Sequence, residues 1–348
     1  MHDVTARPGP PGPAAPRSRA GNRARTLGLL LALGLLAAAV VLSVAVGAKA
    51  LSPAEVWQGL TDHASPAYPV VNRMRVPRTL LGLLAGAALG LAGAVMQAVT
   101  RNPLADPGLL GINAGASAAI ATAIAFLGIT GFTGYVWFGL AGAAVVSALV
   151  YAVGGGRGAT PARLALAGAA LNAALYSYVS AVMLLDSASL DRMRFWTIGS
   201  LAAAGSGTVT AVAPFVLVGA VLALALARPL NALAMGEESA RALGARPARI
   251  RAGAVLAVTL LCGAATAACG PIVFVGLTVP HLVRAVTGPD LRWMLPYCAV
   301  LAPLLLLGSD VLGRVVGRPG ELQVGIVTSV LGGAFFLLLV RRGKAARA

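Results

Sequence analysis

The sequence predicts an all-α polytopic membrane protein of about ten transmembrane helices. Three observations carry this. Of 348 residues 58% are hydrophobic and only 11% charged, against about 25% charged in soluble domains; mean hydropathy is +0.84. The apolar residues fall in long charge-free runs, and a span needs about 20 of them. The 43 glycines, with abundant alanine, suit close helix packing in lipid. Aromatics make up 5%, too few for the aromatic girdles of a β-barrel.

Residues 1–26 carry Arg7, Arg17, Arg19, Arg23 and Arg25 among prolines and glycines and read as a disordered basic tail. The first run, 27–48, ends at Ala48-Lys49-Ala50. It resembles a cleavage site but follows a run too long for a signal peptide, so an uncleaved span is expected. Further spans are expected near 79–99, 108–128, 135–153, 163–185, 208–227, 250–269, 271–286, 293–313 and 324–342, with 343–348 as a short tail. Three glycines between 128 and 134 divide one long run, and Gly270-Pro271 divides another. With the N-terminus inside, the 27 Lys and Arg concentrate on the inner side, so both termini are expected to be cytoplasmic.

The formal net charge of +16 suggests nucleic acid, but the basic residues are scattered between apolar runs and form no patch. Cys262, Cys269 and Cys298 make no ligand spacing, so no metal site is read. Lys49 and Lys344 are each followed by alanine, so a phosphate-binding P-loop is absent. No catalytic motif is visible and no catalytic residue is assigned. An ion-coupled secondary transporter would place carboxylates within its spans; Asp310 is the best candidate, and it reads as paired with Arg314 at i, i+4. Residues 228–251 are short, charged and bracketed by Gly236 and Gly244. They fit either a small docking helix or an ordinary loop.

Further motifs follow in order: Arg75-Val-Pro-Arg78, Gly86, Gly93, Gln97, Arg101-Asn-Pro-Leu-Ala-Asp-Pro107, Trp196-Thr-Ile-Gly199, Met235-Gly-Glu237, Gly270-Pro-Ile-Val-Phe274, Pro280-His281 and Glu321-Leu322 with Val324-Gly325. Taken together they resemble the FecCD-type permeases, the membrane subunits of ABC importers for iron-siderophores, haem and vitamin B12. Gln323 and Ala334 stand where the family usually has proline.

The resemblance implies a BtuC-like ABC importer permease fold over 27–342, most often with ferric siderophores as cargo and haem or cobalamin as the alternative. It implies a second permease subunit, the same or paralogous, an extracytoplasmic substrate-binding protein, and an ABC ATPase dimer that uses the ATP and Mg; no cofactor is bound by this chain. Gly236, Glu237, Ala240, Leu243 and Gly244 match a cytoplasmic coupling helix at about 231–245. Arg75, Arg78 and Arg314 match arginines that dock the binding protein, and Thr160, Pro161 and Ala162 align with an inner gate. Gly93, Gln97, Asn102, Pro103, Pro107, Gly270, Pro271, Pro280 and His281 are expected to shape the backbone rather than touch cargo. The localisation implied is the bacterial cell membrane.

Overall fold

The computed structural model describes residues 21–129, 131–154, 160–202, 205–242 and 244–345. Among them every regular element is helical. α1 (Asn22–Ala45) and α2 (Pro53–Thr61) are followed by α3 (Tyr68–Val70), which runs through a π-helical turn, Val71–Arg75, into α4 (Val76–Thr100). A 3-10 turn, Pro107–Leu110, leads to α5 (Ile112–Leu127), α6 (Phe132–Val153), α7 (Pro161–Leu185) and α8 (Ser187–Trp196). Next come α9 (Ser206–Ala225), α10 (Ala227–Ala234), α11 (Glu237–Ala242) and α12 (Pro247–Cys269), then α13 (Val275–Thr287), α14 (Leu291–Val316) and α15 (Val324–Ala345).

Ten of these correspond to the ten expected spans. Seven helices are long and apolar enough to cross a membrane by length and composition, while Ile112–Leu127 and the apolar part of α15, Val324–Leu338, are shorter. The chain is therefore a multi-pass membrane protein. The expected span 271–286 needs correction. Gly270, at φ 73 and ψ 179, and Pro271 stop α12, and the chain runs without helix until Val275. α13 then has 13 residues, about 20 Å of helix at 1.5 Å per residue, short of the ~30 Å hydrocarbon core. Phe274 takes the left-handed conformation at φ 68 to turn the chain into it.

The core is organised around α4, which packs on α14, α12, α13 and α9. In its most apolar window 78% is buried, against 17% for α1 and for α7; those two helices leave most of their apolar surface for lipid or another subunit. Small residues allow the close approach. A Cβ on Gly86 would lie 2.5 Å from Cα of Pro303, and one on Gly90 would lie 2.6 Å from the Cys298 carbonyl, both on α14. A Cβ on Gly93 would overlap the backbone of Gly276 on α13. Packing of this kind substitutes for the hydrophobic effect between helices in lipid.

Candidate functional site

Three places gather polar chemistry in this apolar chain. At one end of the bundle, Asp310 of α14 is fully buried and Arg314, one turn later, is 1% exposed. Arg314 donates to the Asp310 carboxylate at 2.7 Å, to the Ser43 carbonyl and to Ser43 Oγ. The other side of the carboxylate is taken by Arg78 of α4, through Nη2 at 2.7 Å and Nε at 3.1 and 3.2 Å. Arg78 also donates to Glu321 at 2.6 Å. Two acids and two guanidiniums thus balance. Charge-assisted pairs of this geometry are the strong kind, and each buried charge needs one.

Arg75 adds a further positive charge. It donates to the carbonyls of Val44, Ala45 and Lys49 at 3.0, 2.7 and 2.6 Å. Arg75, Arg78, Arg314, Glu321, Lys49 and Met74 line a cavity of about 290 Å³. The three arginines expected to act together are brought together, but as buried groups held by internal partners. The i, i+4 pairing of Asp310 with Arg314 was legible in the sequence; the Arg78 contact, 232 residues away, has no local signal.

Beside this end three motifs interlock. Ser200 N–H donates to the Cys269 carbonyl at 2.7 Å, Gly325 N–H to the Gly199 carbonyl at 3.1 Å, and Leu322 N–H to the Gly313 carbonyl at 3.1 Å. Gly199 adopts φ 83, and a Cβ there would lie 2.5 Å from the Pro271 carbonyl. Below lies a wide pocket of about 490 Å³, lined by Asn113, Tyr176, Thr197, Pro271, Ser329 and Val330 among others. Its polar groups are uncharged. Tyr176 of α7 and Ile326 and Val330 of α15, which line it, are exposed; the same two helices also expose Leu166 and Leu337. Sequence reasoning did not single this pocket out; its residues come from five separated segments.

At the opposite end lie α10 and α11. Gly236 at φ 117 and Gly244 at φ 78 bracket α11, so the one expected coupling helix is two short helices broken at Met235-Gly236. Ala240 is fully buried. Glu237 pairs with Arg241 at 3.3 Å and with Arg251 of α12. The hydrogen bond from Arg251 holds its carboxyl below the usual glutamate value. Arg101, in the left-handed conformation at the end of α4, donates to the Leu233 carbonyl at 2.6 Å. Asn231 of α10 donates to Asp290 at 2.7 Å; Asp290 is held down to about 2, chiefly by the hydrogen bond from Arg292. Leu243 lies outside the described residues.

A family model described as the FecCD transport family matches residues 35–342. The chain belongs to the FecCD transport family. It is 46% identical over 318 residues to the ferric enterobactin transport system permease protein FepD of Escherichia coli (strain K12), covering 90% of this chain and 94% of that one. To the Fe(3+)-citrate import system permease protein YfmD of Bacillus subtilis (strain 168) it is 37% identical over 326 residues, covering 92% and 96%. A solved structure of a protein of metal-chelate ABC transporter type, in an inward-facing conformation, superposes with a TM-score of 0.81 at 27% identity, covering 91% of this chain and 99% of that one.

The remaining motif residues of this FecCD permease act on backbone and packing. Gln97 Nε2 donates to the Leu277 carbonyl at 3.2 Å, and its Oε1 accepts from Arg284 at 3.3 Å, tying α4 to α13. Asn102 Oδ1 accepts from Leu104 N–H at 2.9 Å, Pro103 lies in the same loop, and Pro107 opens the 3-10 turn. Pro280 is buried inside α13, and the His281 ring meets Phe335 edge-on at 6.1 Å. Thr160 caps α7 by accepting from Arg163 N–H at 3.4 Å, Pro161 takes the first helical turn, and Thr160 and Ala162 are exposed.

Proposed function

We propose that this FecCD permease is the membrane subunit of an ATP-binding-cassette importer for ferric siderophores. The observation that carries the cargo is the likeness to the ferric enterobactin permease along nine-tenths of the chain. The large pocket supports it, because an uncharged, wide lining lets a bulky chelate pass without being held. In this reading two permease subunits, identical or paralogous, meet along the exposed apolar faces of α7 and α15 and form the pathway between them.

Both termini are cytoplasmic, so α10 and α11 face the ATPase dimer and the arginine pocket faces outward. The ATPase subunits bind ATP and Mg and perform the bond chemistry; this chain is not an enzyme and binds no cofactor. Gly236, Glu237, Ala240, Leu243 and Gly244 form the coupling segment. Arg101 and Arg251 fasten it to α4 and α12, so a push on it reaches the bundle. Thr160, Pro161 and Ala162 flank the inner exit. Outside, the pocket lined by Arg75, Arg78 and Arg314 takes a carboxylate of the binding protein, since Arg75 and Lys49, the positive charges of its lining beyond the balanced quartet, steer such a group and fix its register.

Uptake of iron-labelled siderophore in cells lacking the gene, and in cells whose partner ATPase is inactive, tests the reading. Loss in both supports it. Uptake that survives the inactive ATPase overturns ATP drive. Uptake that survives the deletion, without a redundant system, overturns the cargo, and parallel arms with haem and cobalamin then identify the replacement.

A further inference from the structure

Away from the pathway, at the α10 end of the bundle, the first turns of α1 and α14 flank an open cavity of about 360 Å³ lined by Asn22, Arg25, Leu29, Asp290, Arg292 and Trp293 among others. The two helices meet closely here. Tyr297 Oη donates to the Arg25 carbonyl at 2.5 Å, and a Cβ on Gly28 would lie 2.5 Å from the Tyr297 hydroxyl. The Arg25 guanidinium carbon stands 6.0 Å from the Trp293 ring centroid. Its Nε is buried with no hydrogen-bond partner among the described residues. Arg292 is balanced by Asp290, which accepts from it at 2.8 and 3.1 Å, so among the described residues Arg25 is the uncompensated charge of the cavity. A buried guanidinium nitrogen without an acceptor calls for an anionic oxygen.

The surroundings decide the source of that oxygen. Leu27, Leu30, Leu31 and Leu33 of α1 are exposed, so acyl chains run directly beside the cavity. Indole and arginine stand together at the point where the apolar run of α1 begins, the depth at which headgroups lie. Basic pockets between transmembrane helices take anionic headgroups. We propose that the Arg25–Trp293 cavity binds the phosphate of an anionic phospholipid, with Arg25 as the ligand-binding cation, Asn22 as a further donor and Trp293 as the interfacial wall. Arg292 stays with Asp290. The lipid thereby seals α1, one of the two least buried spans, to α14.

The test is native mass spectrometry of the full chain purified in detergent, titrated with phosphatidylglycerol, with phosphatidylcholine of the same acyl chains, and with inorganic phosphate. Phosphatidylglycerol is expected to be retained over phosphatidylcholine. Arg25→Gln is expected to weaken it about fivefold, the worth of one basic residue at the surface, while Arg25→Lys keeps most of the affinity and Arg23→Gln, on the exposed side of the same turn, changes nothing. Retention unaltered in Arg25→Gln overturns the proposal, as does phosphate alone binding with the same Arg25 dependence. Should Arg25→Gln fail to fold, quenching of tryptophan fluorescence by brominated phosphatidylglycerol provides the second measurement. Trp57 and Trp137 are exposed too, so the quantity read is the quenching by brominated phosphatidylglycerol in excess of that by brominated phosphatidylcholine; this excess is expected to vanish in Trp293→Phe, and an excess unchanged there overturns the site.

Discussion

Arg78 and Asp310 stand 232 residues apart in the chain, yet three donor–acceptor contacts between 2.7 and 3.2 Å join them inside the bundle. The pair fastens α4 to α14, and Arg314 closes the other side of the same carboxylate. Removing Asp310 leaves Arg314 charged, buried and without its acid. Asp310→Leu is expected to cost about 3–5 kcal/mol. The double change Asp310→Leu with Arg314→Leu is expected to recover much of this, because Arg78 keeps Glu321. Thermal melts in detergent check it; equal melting of Asp310→Leu and the parent would show that the pair adds nothing.

Glycine substitutions separate packing from backbone freedom. Gly86→Ala and Gly93→Ala each press a methyl against backbone of α14 or α13, and are expected to destabilise by about 1–3 kcal/mol. Gly308→Ala, with open space around it, is expected to be neutral or to stabilise by up to ~1 kcal/mol through helix propensity. Melting temperatures of the three variants give the ranking, and a loss in Gly308→Ala equal to that in Gly93→Ala would refute it.

The ion pair of Glu237 carries a pH signature. Its folded carboxyl titrates below the ordinary value of 4.5 because Arg251 donates to it. The clamp on α11 is therefore complete above pH 4.5 and is lost as pH falls through the lowered value. The protection factors of the α11 amides, that is exchange relative to the intrinsic rate at each pH, should fall in that window. Glu237→Gln should show low protection at every pH, together with weaker ATPase association and lower transport. Unchanged exchange in Glu237→Gln would remove the clamp from the mechanism.

Filling the uncharged pocket tests the pathway without touching either end. Ser329→Trp places a large side chain beside Asn113 and Tyr176. Siderophore uptake is expected to fall about tenfold, equivalent to about 1.4 kcal/mol added to the transport barrier, while membrane insertion and ATPase association stay normal. Uptake at the parent rate would place the route elsewhere.

The legible and the hidden parts of this structure differ in range. Charge-free runs identify the helices because lipid imposes that pattern locally, and the Gly86–Gly90 spacing marks a close contact because four residues return to one helix face. Gly236 and Gly244 bracket α11 in the structure as they do in the sequence. The late start of α13 at Val275 was hidden, because residues 271–274 are as apolar as a helix would be and hydropathy does not register backbone conformation. Arg78 with Asp310 was hidden for another reason. A pair so distant in sequence leaves no periodic trace, and arginines at helix ends look like surface charges until the fold encloses them. The placement of the coupling segment rests on family likeness, since its residues alone read equally as a loop.

The helix at the centre has one more consequence. α9, α13 and α14 each hold an internal proline, whereas α4 has its only proline in the first turn and runs some 37 Å at 1.5 Å per residue without a break in its ladder. Helices yield at prolines, so α4 is the member of the core least able to bend. Arg101 just past one tip holds the Leu233 carbonyl of α10 and Arg78 near the other holds Asp310, so the two polar ends of the bundle are joined by a single strut of fixed length.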